Sequence, residues 1–340
     1  MQPRLKPRIG IILGDIAGIG PELTAKLLSD ESIFEQARVV LIADPRHWEA
    51  GIQRAKVRPR TPMKIELMDS IPDSSEDFLL YPVTGADPNL VSIGKIDPRA
   101  GKTVLESMLC AIDLIKKGWI DGFLFAPLNK ESMHLGGSPF GSELDLLKHY
   151  LPENQALEEI NILDEFWTMR VTSHVAFKDV PSLITPESVY KAVQFLHNAM
   201  TAYGKQAPKI GVAALNPHGG EHGLFGDEEG TKIEPGIIQA REEGITVSGP
   251  FPADTIFLKL QDGTFDGVIS MYHDQGQIAT KLLGFNRGVT YHAGFSVPIT
   301  TPAHGTAFDI AGKGIADPGA IRHAFYVLCR IARHKAKHRS

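Results

Sequence analysis

Three histidines in this chain each follow an apolar, strand-like run: His174 in "VTSH", His218 in "LNPHGGEHG" and His273 in "MYHDQG". Neutral imidazole is the commonest protein ligand for a transition metal, and three of them leave coordination positions open for a substrate. In an open α/β sheet, ligands bind beyond the carboxyl ends of the strands, where all three fall. The spacing is wide, so a metal site must be assembled in three dimensions. The chain has 13 histidines, so three at strand ends also arise by chance, and His222 and His304 compete for the role. Asp274 stands beside His273. It can orient a neighbouring ligand or take part in proton handling.

Two glycine-rich stretches offer a second chemistry. "GDIAGIGPE", residues 14 to 22, lies between a predicted strand and a predicted helix. It is not a dinucleotide fingerprint, because counting from Gly18 the third glycine position is Leu23. Pro21 and Glu22 suit the first turn of a helix, where proline is tolerated and an acid faces the positive dipole end. The loop serves a closely approaching ligand or is only a turn. "TPAHGTAFDIAGKGIADP", residues 301 to 318, is rich in small residues, with Asp309 inside. Gly305, Gly312 and Gly314 let backbone approach a flat or charged ligand. A carboxylate there suits the paired hydroxyls of an adenosine ribose and repels a 2′-phosphate. A packed loop before the last helix is the competing explanation.

The elements that must hold these residues alternate. "RIGIIL", "ARVVLIAD", "IDGFLFAP", "TMRVTSH", "PKIGVAALNP" and "FDGVISMYH" have the pattern of strands. "GPELTAKLLSD", "GKTVLESMLCAIDLIKKG" ending at Gly118, "ITPESVYKAVQFLHNAMTAYG" with Thr185 as cap, and "PGAIRHAFYVLCRIARHK" have that of helices. Such alternation predicts a mostly parallel sheet covered by helices. The proline-rich "IPDSSEDFLLYPVTGADPNL" is expected to be an irregular excursion. A length of 340 residues suits two domains, and without a linker the chain is free to cross their junction more than once. The net charge of −5 gives no reason to expect nucleic acid or a membrane surface. The basic C-terminal "RIARHKAKHRS" is the solvated end of a helix. Cys110 and Cys329 lie in apolar helical stretches and are expected to be free thiols. No window is apolar enough to span a bilayer and the N-terminal apolar run is too short for a signal peptide, so a soluble, cytoplasmic protein is expected.

Taken as an ordered set, "GDIAGIGPE", "APLNKESMH", "VTSH", "LNPHGGEHGLFGDEE", "GPFPADTIF", "MYHDQG" and "HGTAFDIAGKG" resemble the 4-hydroxythreonine-4-phosphate dehydrogenase family of vitamin B6 (pyridoxine) biosynthesis, nearly end to end. The first and last also resemble segments of isocitrate and isopropylmalate dehydrogenases. The resemblance implies an α/β fold of two α/β/α domains of that dehydrogenase type. The expected division is residues 1–135 plus 286–340 with the nucleotide-binding loop, and 136–285 with the metal ligands and dimer contacts. It implies a homodimer with a shared active site in the cleft between domains. It implies a divalent metal on His174, His218 and His273, for which imidazoles favour zinc, cobalt or nickel over magnesium. It implies a nicotinamide nucleotide held by Gly14, Gly18, His304, Gly305, Thr306, Asp309, Ile310 and Gly312, with Asp309 selecting NAD. Lys281 matches a substrate-binding lysine, and Lys281 and Asp274 are the candidates for catalytic proton handling.

The departures concern the substrate. The family usually has Gly-His-Thr-Glu after a "PF" pair, whereas "PFGSELDLL" puts Glu143 and Leu144 at the His-Thr positions. Thr290 replaces a substrate-contacting asparagine, and Ile299 replaces an arginine that holds a phosphate. Loss of the charged partner of a buried anion costs about 3 to 5 kcal/mol, on the order of several hundredfold in affinity. These departures disfavour a phosphorylated substrate, so the dehydrogenase chemistry carries over better than the substrate. The expected activity is an NAD-dependent, metal-assisted oxidation of a secondary alcohol of a small hydroxy acid, 4-hydroxythreonine-4-phosphate dehydrogenase-like, with decarboxylation where a carboxylate lies β to the new ketone. The alternatives are oxidation of a non-phosphorylated cyclic diol carboxylate from aromatic-acid breakdown, and a non-catalytic metal- and nucleotide-binding protein.

Overall fold

The structure, a computed structural model, describes residues 6–65, 76–153 and 156–338. The chain divides into two α/β units, Met1–Glu158 with Val289–Ser340, and Glu159–Gly288. The first unit opens with β1 (Arg8–Ile12), α1 (Gly20–Leu28), α2 (Ser32–Gln36), β2 (Arg38–Ala43) and α3 (Pro45–Ala55). It continues with β3 (Met63–Lys64), β4 (Phe78–Pro82), α4 (Pro98–Lys116), β5 (Gly122–Phe125), α5 (Lys130–Leu135) and α6 (Glu143–Tyr150). The second unit carries β6 (Glu158–Leu163), β7 (Phe166–Arg170), α7 (Val180–Leu183), α8 (Pro186–Tyr203) and β8 (Ile210–Ala213). After these come α9 (Glu234–Glu242), β9 (Val247–Phe251), α10 (Ile256–Gln261), β10 (Gly267–Ser270) and α11 (His273–Gly284). The chain then returns to the first unit with β11 (Gly288–Ala293), β12 (Ile299–Pro302) and α12 (Gly319–His338).

Local chemistry sets the ends of these elements. Asp44 and Asp97 cap α3 and α4 by accepting the backbone N–H of Arg46 and Arg99. Thr185 caps α8 as expected, in a reciprocal box with Ser188, and α8 stops at Gly204 in the left-handed region. Gly118, at φ 66°, follows the end of α4.

In the first unit the strand order is β3-β4-β2-β1-β5-β12-β11, parallel except for the β12–β11 pair. Strands β1, β2 and β5 are buried along their whole length, which explains their unbroken apolar sequences. From β1 the chain moves to β2 on one side, and β5 lies on the other. The loops after β1 and β5 therefore open at a point where strand order reverses, the preferred ligand position in such sheets. In the second unit the order is β6-β7-β10-β8-β9, parallel except for the β6–β7 pair.

Two expectations differ from what is found. The proline-rich stretch 71–90 contains β4, whose "FLLY" pairs in parallel with β2 on one side and β3 on the other, because burying Phe78, Leu79 and Leu80 inside the sheet outweighs the prolines around them; residues 71–75 lie outside the described ones. The first change of unit falls after Glu158 and not at residue 135. The reason is α6: Leu146 and Leu147 have no exposed surface and pack in the first unit's core with Val104, Met108 and Phe125. No helix among the described residues is long and apolar enough to cross a membrane. Both cysteines are free, as expected.

Candidate functional site

The two glycine-rich motifs of the first unit form one structure. Gly14 has φ 66°, and a Cβ on it would lie 2.3 Å from the Ala126 carbonyl oxygen, so only glycine brings the loop after β1 this close to the turn after β5. Asp15 N–H donates to the Pro127 carbonyl at 2.9 Å. A Cβ on Gly18 would lie 2.9 Å from Thr306, and Ile19 N–H donates to the Thr306 carbonyl at 3.1 Å. The strongest tie was not legible as such. Glu22, 1% exposed, accepts from Gly314 N–H at 3.2 Å and Ala316 N–H at 2.8 Å. Lys26, one helical turn on, donates to Glu22 at 2.8 Å and to the carbonyls of Gly314 and Ala316 at 3.0 and 2.7 Å. The acid at the start of α1, expected to serve the helix dipole, instead clamps the backbone of the second motif.

That clamp holds a loop whose polar groups stay accessible. Gly305 and Asp309 are exposed, His304 and Ile310 are half-buried, and Thr306 is buried against Gly18. His304 Nδ1 lies 3.1 Å from the Gly305 carbonyl, to which an Nδ1–H donates. Gly312 has φ 79°, with Ile93 against it. Backbone open to a flat ligand beside one exposed carboxylate is the chemistry of a nucleoside site.

Asp15, in the loop after β1, has no exposed surface. Its Oδ1 accepts from Ala17 N–H at 2.8 Å, and its Oδ2 makes no hydrogen bond of normal geometry among the described residues. Burial raises its pKa from 3.8 to about 6, against the pull of Ala17 N–H and Ser132, with a further push from the Asp97 carboxylate. Asp97 is held down at about 2, chiefly by its hydrogen bond from Arg99.

The residues that depart from the family pattern also lie in the first unit. Glu143 starts α6, with its carboxylate 3.8 Å from Lys130 of the "APLNKESMH" stretch. Leu144 packs against the hydrophobic core, and Ile299 belongs to that core with no exposed surface. Thr290 is half-buried on β11, opposite Thr301. Two residues along the same face is His292, opposite Ile299, fully buried and stacked on Phe125 at 5.5 Å between ring centroids. Neither Lys130 nor His292 was singled out from sequence, since a lysine after a strand and a histidine in an apolar run carry no spacing signal.

In the second unit the three histidines follow three adjacent parallel strands. His174 comes after β7, His273 after β10 and His218 after β8, with β10 in the middle. Hydrogen bonds lace the three loops together. Thr172 donates from both N–H and Oγ1 to the Met271 carbonyl, at 3.0 and 2.8 Å. Gln275 of "MYHDQG" accepts from Met271 N–H at 2.7 Å and donates to the Ala214 carbonyl at 2.9 Å. The His174 and His273 rings lie 5.5 Å apart, centroid to centroid. His273 Nδ1 donates to Asp274 at 2.7 Å, because an ionised carboxylate only accepts. That bond leaves Nε2 as the remaining ring nitrogen for an ion. His218 packs near Phe225, at 6.3 Å, and no three histidine nitrogens among the described residues lie within 4.8 Å of one another. The donor set suits a borderline-soft divalent ion: imidazoles at strand ends, one already oriented by a carboxylate. Lys281 is exposed on α11, eight residues after His273, or about 12 Å along the axis.

Comparison with known proteins gives a consistent set of matches. Residues 35–328 match the family described as pyridoxal phosphate biosynthetic protein PdxA. A protein of Pseudomonas aeruginosa named "Putative 4-hydroxythreonine-4-phosphate dehydrogenase 2" is 45% identical over 333 residues, 97% of this chain and 98% of its own length. A D-threonate 4-phosphate dehydrogenase of Cupriavidus necator is 35% identical, over 97% and 98% of the two chains. The crystal structure of 4-hydroxythreonine-4-phosphate dehydrogenase from Klebsiella pneumoniae is similar with a TM-score of 0.83 at 30% identity, covering 97% of this chain and 99% of that one.

Proposed function

The chain belongs to the family of pyridoxal phosphate biosynthetic protein PdxA, an oxidoreductase family acting on CH–OH groups, and we propose on that premise an NAD-dependent, divalent-metal-assisted oxidation of a hydroxy acid bearing a secondary alcohol. The observation that carries the reading is the His273–Asp274 bond beside His174, at the ends of neighbouring strands. His174, His218 and His273 would hold the ion. Bound there, the ion supplies Lewis acidity towards the substrate hydroxyl, and the nicotinamide supplies a two-electron acceptor. Asp274 fixes the tautomer and orientation of His273. The Glu22–Lys26 clamp on Gly314 and Ala316 would steady the loop whose Gly305, Thr306 and Asp309 would hold the adenosine, with Asp309 the acceptor for its ribose hydroxyls.

A homodimer with a shared site agrees with the exposed apolar side chains beside each histidine. These are Val175 and Phe177 after His174, Leu224 and Phe225 after His218, and Ile278 and Leu282 after His273. Burying such side chains against a second copy would take their apolar surface out of water. Lys281, exposed on the same helix as Ile278 and Leu282, would serve a partner's substrate as a binding or proton-transferring ammonium.

For the substrate, the named relatives favour a four-carbon hydroxy acid 4-phosphate. A second reading, a non-phosphorylated cyclic diol carboxylate, is favoured by Ile299 and Glu143, an apolar and an acidic residue where a phosphate clamp is expected. The test is NADH formation from D-threonate 4-phosphate, 4-hydroxythreonine 4-phosphate, their dephosphorylated forms and a cyclic cis-diol carboxylate, with and without chelator. Turnover of a phosphate ester that chelator abolishes supports the first reading. Turnover of only unphosphorylated acids supports the second, and tight NAD binding without turnover of any substrate refutes both.

A further inference from the structure

Residues 218–223, "HGGEHG", all have positive φ: 54°, 69°, 79°, 43°, 56° and 95°. Three of the six are not glycine, and left-handed backbone is unfavourable for them. Such a turn persists only where its surroundings over-determine it. The chain enters it through Leu215 and Asn216, and both their N–H groups donate to one carboxylate oxygen of Glu229, at 2.9 and 2.8 Å. Asn216 Nδ2 donates to the other oxygen of Glu229 at 3.0 Å, and also to Glu228 at 2.7 Å. A Cβ on Gly220 would lie only 2.6 Å from that second oxygen, so the carboxylate packs close to the middle of the turn and only glycine leaves room for it. Glu229 is 7% exposed and starts a π-helical segment, Glu229–Ile233, that runs into α9. Short π segments of this type are frequent at functional sites.

We infer that Glu229 is a positioning residue for metal binding: its carboxylate holds the left-handed turn that aims His218 at the ion. The inference rests on the proposed role of His218 as a ligand. Glu229 touches neither ion nor substrate. It acts by fixing the backbone on either side of His218, so its removal releases the turn towards right-handed conformations and moves the imidazole away.

The experiment is a titration of the metal-free protein with Co²⁺, followed by visible absorption, for wild type, Glu229→Ala, Glu229→Gln, Gly220→Ala and His218→Ala. Thermal melting and NAD affinity are recorded alongside. The expected result is a loss of Co²⁺ affinity by about 10- to 100-fold in Glu229→Ala, the usual effect of removing a group that orients a ligand. Glu229→Gln keeps one acceptor oxygen and recovers part of it. Gly220→Ala, which pushes on the same carboxylate from the other side, loses affinity too and reads the same contact should Glu229→Ala fail to fold. NAD affinity stays unchanged, because the nucleotide loop is in the other unit. Unchanged Co²⁺ affinity and spectrum in the Glu229 and Gly220 variants, with only a lower melting temperature, would overturn the inference while His218→Ala still abolished binding. Unchanged binding in His218→Ala would instead overturn the ligand assignment beneath it.

Discussion

Replacing Glu22 by glutamine tests whether the clamp on Gly314 and Ala316 sets cofactor affinity. The carboxylate accepts two backbone N–H groups and the Lys26 ammonium, and it is 1% exposed. Glutamine keeps one acceptor oxygen and turns an NH₂ group towards donors that have lost theirs. Breaking one side of a buried ion pair costs about 3 to 5 kcal/mol. Lys26 keeps two carbonyl partners and is partly exposed, so the lower end, about 3 kcal/mol, applies here. Only the share that loosens residues 312–316 enters the binding equilibrium. With half of it there, NAD affinity falls about tenfold, and with all of it about a hundredfold. Calorimetric titration with NAD measures the affinity, and amide exchange at Ala316 measures the loop. Faster exchange with an NAD dissociation constant within about twofold of wild type would refute the link between loop order and cofactor binding. Unchanged exchange would refute the clamp itself.

Other variants probe separate parts of the account. Asp309→Ser removes the carboxylate proposed to accept from the ribose, and the NAD-to-NADP ratio of kcat/KM should fall; an unchanged ratio means this loop does not meet the 2′ position. Asp274→Asn leaves His273 without its ionised acceptor and should weaken metal binding by about tenfold, measured by competition with a chromophoric chelator; wild-type affinity would mean the exposed carboxylate has no hold on the ring. Asp15 predicts a pH effect of definite sign. Its folded-state pKa of about 6 exceeds the unfolded value of 3.8, so its contribution is fully present below about pH 4 and is lost as pH rises through about 6. Asp15→Asn keeps the acceptor for Ala17 N–H without titrating. Its stability relative to wild type in urea should therefore improve between pH 4 and pH 7, by up to about 3 kcal/mol. A difference independent of pH would show that the carboxyl is not perturbed.

The sequence made the strand ends legible because burial on both faces forces unbroken apolar runs, and His174, His218 and His273 each come just after one. It also showed two glycine-rich motifs, but not that they touch. Their contact runs through Glu22, Lys26 and backbone groups nearly three hundred residues away, and backbone partners leave no trace in a sequence. Glu229 was hidden for the same reason, since most of its hold is on the backbone N–H groups of Leu215 and Asn216, which any residue but proline provides. The change of unit was misplaced because the leucines of α6 would suit either core, and only packing shows that Leu146 and Leu147 lie with Val104 and Met108. Ile299 stood out as the residue replacing a clamp, yet pattern alone could not show that it has no exposed surface.

The most direct test is anomalous diffraction from a crystal of the protein loaded with Co²⁺ or Zn²⁺. One strong peak per active site is expected, about 2.0 to 2.1 Å from a ring nitrogen of each of His174, His218 and His273, whichever subunit supplies each one. A fully occupied ion bound away from these rings, in protein that still forms NADH, would contradict it.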